Sequence, residues 1–342
     1  RMSRGLGDVY KRQVNMENLP EIISAVKKEG KAIVAPKRMR VTYTLTVDTN
    51  AVPAGKIIRC WLPYPRQDQA RQQDVEFISA SEPQYTFSSP ECRHSTLYME
   101  KRAVEGEPTV FSETFEFTAN GEWHNLKPED VQPYDTTTAL YKEYTAEREK
   151  HIVFSPRLRE LAAKLTAGET NPYLKTKRIF RWVNDNFPWA SAREYSTIEN
   201  IPEYVLDNRH GDCGQVSLLF ITLCRISGIP AHFQSGFMMH PRAWNLHDWA
   251  EVYFEGVGWV PADQSFGIPA FARNADEEYF FLGGIDSWRM IVNTDYGMPL
   301  QPEKQYPRSE TVDFQRGEVE WEGGNLYFPQ WDYHMDIDYL NY

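Results

Sequence analysis

His210-Gly211-Asp212-Cys213-Gly214-Gln215, followed by Val216-Ser217-Leu218-Leu219-Phe220-Ile221-Thr222-Leu223-Cys224-Arg225-Ile226-Ser227-Gly228-Ile229-Pro230, is the stretch whose reading decides the fold. It predicts a sharp turn feeding a buried helix. Asp212 is a favourable N-cap, and Gln215, three residues on, completes a capping-box spacing. Val216, Leu219, Phe220 and Leu223 recur at helical spacing, and Leu218, Ile221 and Ile226 widen the apolar surface. Gly228 and Pro230 then end the helix. Cys213 falls in the first turn, where unpaired N–H groups and the helix dipole are expected to favour a thiolate over a thiol.

A thiolate needs a base and an orienting group to act as a nucleophile. Downstream, His247 opens the strand-like run Asn245 to Phe254, and Asp263 closes the next one, which begins near Gly258. The short Gly-containing link Glu255 to Gly258 reads as a hairpin turn. His247 and Asp263 are 16 positions apart, an even number. Side chains alternate along a strand, so the two share a face only if the hairpin loop is odd, as with three residues. In that arrangement Cys213 is the candidate nucleophile, His247 the general base and acid, and Asp263 the group that orients the imidazole.

Gly211-Asp212-Cys213 before a long apolar helix, then His247-x-Trp249-x-Glu251-Val252, then Trp259-Val260-Pro261-x-Asp263, resembles the transglutaminase-like superfamily. Its members share a papain-like Cys-His-Asp arrangement. The resemblance covers about Tyr173 to Gly267 and implies an α+β fold, a papain-like transglutaminase core of helices plus antiparallel sheet. It also implies that Trp189, in Phe187-Pro188-Trp189, is a candidate oxyanion donor beside the Cys213 backbone N–H; the plainer reading of Trp189 is a core or rim tryptophan. Asp248 is expected to be exposed and Glu251 to be a structural partner. His210, His232, His240 and Cys213 fit no common metal-ligand spacing, and neither a metal nor a cofactor is expected.

Upstream the pattern is strand-like. Val41, Tyr43, Leu45 and Val47 alternate with Arg40, Thr42, Thr44 and Thr46, as in a half-buried strand. Further short strands are read at Lys56 to Pro65, Val75 to Ser79, Thr96 to Lys101 and Thr109 to Thr118, with Arg66 to Gln73 as an exposed polar loop. They predict an all-β sandwich domain preceding the core, like the β domain often fused to bacterial transglutaminase-like domains. Helices are read at Thr137 to Glu147, from Pro156, from Pro172 to near Asn186, and at Ile198 to Leu206; strands follow at Ala231 to Phe237 and Trp288 to Val292. Residues 1–13 (RMSRGLGDVYKRQ) read as a non-native, adapter-like segment, so the native N-terminus is expected to be missing. The expected organisation is then a linker or remnant at 14–36, with a short helix from Leu19 to Lys28, and a β-sandwich at 37–121. A linker at 122–136, the catalytic domain at 137–300, and a C-terminal extension at 301–342 packing on the domains complete it.

With 37 basic against 48 acidic residues, the net charge of −11 argues against general nucleic-acid binding. No apolar run reaches membrane-spanning length. Of the four cysteines, Cys224 lies 11 positions after Cys213 and is read as core. Cys60 and Cys92 either bridge, in an oxidising compartment, or stay as buried thiols. Three functions stay open. One is a cysteine amidase or peptidase acting through an acyl-thioester on a peptide or protein amide, which includes cell-envelope peptides. The second is a transglutaminase that passes the acyl group to an amine, and the third a non-catalytic module that binds peptide or glycan. The resemblance also implies an exported protein, whether periplasmic, surface or extracellular.

Overall fold

A computed structural model describes residues 2–190, 193–241 and 243–341; the side chains of residues 1–14, which include the adapter-like segment, lie outside the description. Helix α1 (Met2–Glu29) is followed by strands β1 (Ile33–Val47), β2 (Ile57–Pro63), β3 (Gln72–Ala80), β4 (Tyr85–Phe87), β5 (Thr96–Arg102) and β6 (Thr109–Trp123). Helices α2 (Ala139–Tyr144), α3 (Pro156–Leu165), α4 (Pro172–Asn186), α5 (Ile201–Asn208) and α6 (Cys213–Ile226) come next. Then come β7 (Ala231–Met238), β8 (Asn245–Phe254), β9 (Gly258–Ala262), the short helix α7 (Ala275–Glu278) and β10 (Gly284–Ile285). Strands β11 (Arg289–Asn293), β12 (Glu318–Trp321), β13 (Gly324–Leu326) and β14 (Trp331–Tyr339) complete the chain. It divides into two compact units. One holds Arg1–Ala35, Gly121–Gln234 and His247–Ser287, the other Pro36–Asn120, Ser235–Leu246 and Trp288–Tyr342.

The second unit is built on two antiparallel sheets, one with β6, β1 and β14 in order and β3 on the far side of β6, the other ordered β13-β12-β2-β5-β4. Val41, Tyr43, Leu45 and Val47 of β1 are buried and the alternate residues are not, as a strand with one covered face requires. Their partners in β14 run from Val41 opposite Ile337 to Val47 opposite Trp331. Ring contacts link the two sheets: Phe115 with Tyr64 at 5.4 Å, and Phe77 with Phe87 at 5.4 Å. This is the face-to-face packing of a sandwich.

One expectation changes in this unit, and one alternative is decided in it. Arg66 to Gln73 is exposed only in part: Gln67, Asp68, Ala70 and Gln73 face solvent, but Arg66, Arg71 and Gln72 are buried, and β3 begins at Gln72. Arg66 donates to the Cys92 and Pro90 carbonyls, while Gln72 brackets Ile291, donating to its carbonyl at 2.9 Å and accepting from its N–H at 2.7 Å. Polar side chains are buried there because they satisfy backbone groups that would otherwise be orphaned. Cys60 and Cys92 are both free thiols; Cys60 is fully buried and Cys92 half-buried.

The first unit is helical around α6, which is buried along most of its length. The helices flanking it start where short polar residues precede a proline. Ser155 caps α3 by accepting from Leu158 N–H at 3.2 Å, Asn171 caps α4 through Leu174 at 3.1 Å, and Asn200 caps α5 through Glu203 at 3.0 Å. Phe180 of α4 meets Phe220 of α6 edge-on at 6.1 Å. Helix α1 belongs to this unit through buried Leu19 and Ile22, and through Asn18, which accepts from the Ser287 N–H at 2.9 Å. The strand read as Thr109 to Thr118 runs on to Trp123, where Glu122 and Trp123 pair with Ile285 and Gly284. Among the described residues no helix is long and apolar enough to cross a membrane.

Candidate active site

Asp212 caps α6 as its spacing predicts. Its Oδ1 accepts from Gln215 N–H at 3.1 Å, and the Gln215 side chain accepts from Asp212 N–H at 3.3 Å. Cys213 follows at the first helical position. The β8–β9 register pairs Ala250 with Ala262, Val252 with Val260 and Phe254 with Gly258. Glu255, Gly256 and Val257 are left as a three-residue loop. Its odd length puts His247 and Asp263 on one face.

His247 Nε2 lies 2.8 Å from Asp263 Oδ2, and both residues are buried. The other carboxylate oxygen accepts from the Ser265 and Phe266 N–H groups at 3.1 and 3.0 Å. An ionised carboxylate only accepts, so Nε2 carries a proton in this contact. The ring is packed between Trp249, stacked at 6.0 Å, and the edge of Phe266 at 5.1 Å. Trp249 is held in turn by Gln234, and Gln234 by Glu251, which also faces His232 Nε2 at 3.0 Å. Glu251 is thus a structural partner within the strands.

The Cys213 sulfur lies 3.3 Å from Oδ2 of Asp248, the residue directly after His247. Asp248 was expected at the surface, yet it is 2% exposed. The reason is that β8 is covered on both sides over His247 to Ala250, so its second face is not free to solvate a charge. Tyr195 joins the same group: its hydroxyl donates to Asp212 Oδ1 at 2.5 Å and lies 3.4 Å from Asp248 Oδ2. Gly214 is there because a Cβ would collide with the Tyr195 hydroxyl and come within 2.6 Å of Asp248 Oδ2. Sequence reasoning missed both Asp248 and Tyr195. One signal was readable: Ala250, Val252 and Phe254 share the face of Asp248 and are all apolar, which marks that face as covered.

The electrostatics also depart from expectation. Burial, then the carboxylates of Asp248 and Asp212, push the Cys213 thiol well above its ordinary range. The helix start does not win because the sulfur is buried, and Asp248 and Asp212 add carboxylates beside it. Asp212 is itself pushed up to about 6, first by burial and further by Glu194, against the bonds from Tyr195 and Gln215 that favour its charge. Burial and these carboxylates all favour the thiol over the thiolate.

Trp189 is 52% exposed, on the rim. Its backbone pairs with Gly211, and the next N–H, of Ala190, donates to the Gly211 carbonyl at 3.0 Å. The segment carrying the indole is thereby fastened beside the turn that delivers Cys213. Among the described residues, no group of three His, Cys, Asp or Glu side chains gathers as a metal site.

Comparison with known proteins agrees with this geometry. Residues 159–264 match the model of the transglutaminase-like superfamily. The uncharacterised protein YebA of Bacillus subtilis is 27% identical over 35% of this chain and 19% of its own length, so the chain spans about a fifth of that relative. An uncharacterised Haemophilus influenzae protein is 24% identical over 65% of this chain and 68% of its own. A solved structure from Cytophaga hutchinsonii, described as a candidate cysteine protease, superposes with a TM-score of 0.59 at 15% identity, covering 91% of this chain and 93% of that one. That likeness speaks for the fold alone. With the Gly-Asp-Cys turn, the His–Asp hairpin and the family match in agreement, residues 159–264 of this chain form a transglutaminase-like superfamily core.

Proposed function

We propose that the protein is a cysteine-dependent amide-bond enzyme that works through an acyl-thioester on Cys213 and hydrolyses peptide or side-chain amides. The supporting observation is the buried 2.8 Å His247–Asp263 pair on the strand whose next residue touches the Cys213 sulfur. Asp263 holds the imidazole with Nδ1 unprotonated, the form a general base requires. In the reaction His247 Nδ1 takes the thiol proton as sulfur attacks the amide carbonyl carbon. The carbonyl π pair moves to oxygen, where the Cys213 N–H and the Trp189 indole N–H donate. Collapse breaks the C–N bond, and the imidazolium gives its proton to the leaving amine. Water, deprotonated by His247, then attacks the thioester. The C–S bond breaks, the acid departs and the sulfur recovers its proton.

The test is incubation of wild type and Cys213→Ala with a panel of glutamine-containing peptides and a labelled primary amine. Cys213-dependent ammonia release or peptide cleavage, with an acyl adduct on Cys213 seen by mass, is expected. Incorporation of the amine would replace hydrolysis with transfer. No Cys213-dependent product of either kind would leave a binding module. Export, implied by the family resemblance, is part of the same proposal and is checked by cell fractionation.

A further inference from the structure

Within the sandwich unit, the segment between β11 and β12 lies as a strap on the β12–β13 edge of its sheet. It brings a buried lysine against an amide and two buried carboxylates. Lys304 Nζ lies 2.6 Å from Asn325 Oδ1 and 3.1 Å from Glu320 Oε2, with Glu318 Oε2 at 3.9 Å. The lysine side chain is 4% exposed and both glutamates are fully buried. We propose that Lys304 and Asn325 are the two ends of an intramolecular isopeptide bond, formed in the folded chain with loss of ammonia and with Glu318 carrying the protons. The inference does not rest on the Cys213 chemistry proposed above.

Strand register builds the cluster. Glu320 and Asn325 are direct partners across β12 and β13, and Glu318, two residues along β12, shares the face of Glu320. That face holds the strap by its backbone: Glu320 accepts from the Gln305 and Tyr306 N–H groups, and Glu318 from those of Ser309 and Glu310. Ser309 sets the amide. Its hydroxyl donates to the Leu326 carbonyl at 3.2 Å, so its oxygen accepts from Asn325 Nδ2 at 2.9 Å. The amide therefore turns Oδ1 toward Lys304, and the carbon to be attacked is one bond from that oxygen.

Amide exchange needs an amine free of its extra proton and an acid–base group beside it. Burial favours both. It lowers the Lys304 amine, against Glu318 and Glu320, which favour its charge. It pushes the Glu318 carboxyl up to about 7, against Arg308, the two N–H bonds and Lys304. Glu320 is also paired with Arg59, and its part is to hold the lysine in place. In the reaction Glu318 takes a proton from the Lys304 ammonium. Nζ then bonds to Asn325 Cγ, and the carbonyl π pair moves to Oδ1. Glu318 gives its proton to Nδ2. The pair returns from Oδ1, the Cγ–Nδ2 bond breaks and ammonia leaves. The new amide nitrogen passes its extra proton back to Glu318. The bond fastens β13, the edge strand of its sheet, to the strap that crosses it.

The experiment is the denatured mass of the full chain, sampled from the end of synthesis onward at neutral pH, with peptide mapping. Wild type is expected to become lighter than its sequence by one ammonia, with a branched peptide joining the segments around Lys304 and Asn325. Cys213→Ala should show the same loss, because the thiol takes no part. Lys304→Met and Asn325→Ala should each keep the full mass. Glu318→Gln, if folded, should form the bond roughly 10²-fold more slowly. A wild-type chain that stays at full mass would overturn the bond without any variant, and so would ammonia lost with no Lys304–Asn325 branch. A folded Glu318→Gln chain that cross-links as fast as wild type would overturn the role given to Glu318. Absence of the bond from Cys213→Ala alone would overturn its independence of the thiol.

Discussion

Asp263 presents one carboxylate oxygen to His247 Nε2 at 2.8 Å and the other to the Ser265 and Phe266 N–H groups at 3.1 and 3.0 Å. Asparagine has only one acceptor oxygen. To keep the two backbone bonds, Asp263→Asn must turn its NH₂ toward His247, which forces Nε2 to accept and moves the ring proton to Nδ1. The imidazole is then the wrong tautomer for a base. Hydrolysis is expected to fall roughly 10³–10⁴-fold in kcat, as when other triads lose this charge, while thermal stability stays near wild type. Steady-state kinetics and a melting curve check this together; a loss under tenfold would remove Asp263 from the machinery.

Trp189 offers a test of the oxyanion assignment that stability does not confuse. Because the side chain is 52% exposed, Trp189→Phe should leave the melting temperature almost unchanged. It removes the indole N–H and keeps an aromatic ring. If that N–H meets charge that exists only in the transition state, kcat should drop about 10²-fold with KM little altered. A raised KM at constant kcat would instead make Trp189 a wall of the substrate groove.

Much of this site was legible in the chain because it follows from local rules. The Asp212–Gln215 box, the helix behind Cys213 and the parity that joins His247 to Asp263 each depend on spacing alone. Asp248 is expected at the surface, yet β8 is covered on both faces, as the apolar Ala250, Val252 and Phe254 on its own face already signal. The Cys213 thiol was misread for a related reason. A helix start favours thiolate, but burial first, and then the carboxylates of Asp248 and Asp212, outweigh it, and only the folded chain buries the sulfur and puts Asp248 beside it. The segment Arg66 to Gln73 looked like a loop by composition, yet Gln72 is claimed by Ile291, 219 positions away.

Asp212 carries a stability prediction with a defined pH window. Burial pushes its folded carboxyl up to about 6, above the ordinary aspartate value of 3.8. A carboxyl raised on folding contributes stability that is complete below the unfolded pKa and is lost as pH rises through the folded one. Asparagine retains the N-cap acceptor without the charge. Asp212→Asn should therefore melt higher than wild type at pH 7.5, with the gap closing toward pH 4. Asp212→Ala, which also loses the cap, should lie about 1 kcal/mol below Asp212→Asn at every pH. Melting curves at pH 4, 6 and 7.5 decide it, and a gap that grows on acidification would contradict the sign.

Glu113 makes the corresponding case in the sandwich. It lies on the inward face of β6 between buried Phe111 and Phe115, opposite Ala80 of β3. Neither of its carboxylate oxygens has a hydrogen-bond partner among the described residues, and burial holds the carboxyl well above its usual range. By the same sign argument, its stability contribution is greatest below the unfolded pKa near 4 and is lost as pH rises toward the elevated folded value. Glu113→Gln removes the charge but not the unpartnered polarity, so it should match wild type near pH 4 and exceed it above pH 7. Glu113→Leu removes both and should be more stable throughout, by about 1–3 kcal/mol at pH 8. The pair of variants separates the two costs: parallel Glu and Gln melting profiles across pH would mean the carboxyl never pays for ionisation in that core, and a leucine variant less stable than wild type would mean the polar group is bonded after all.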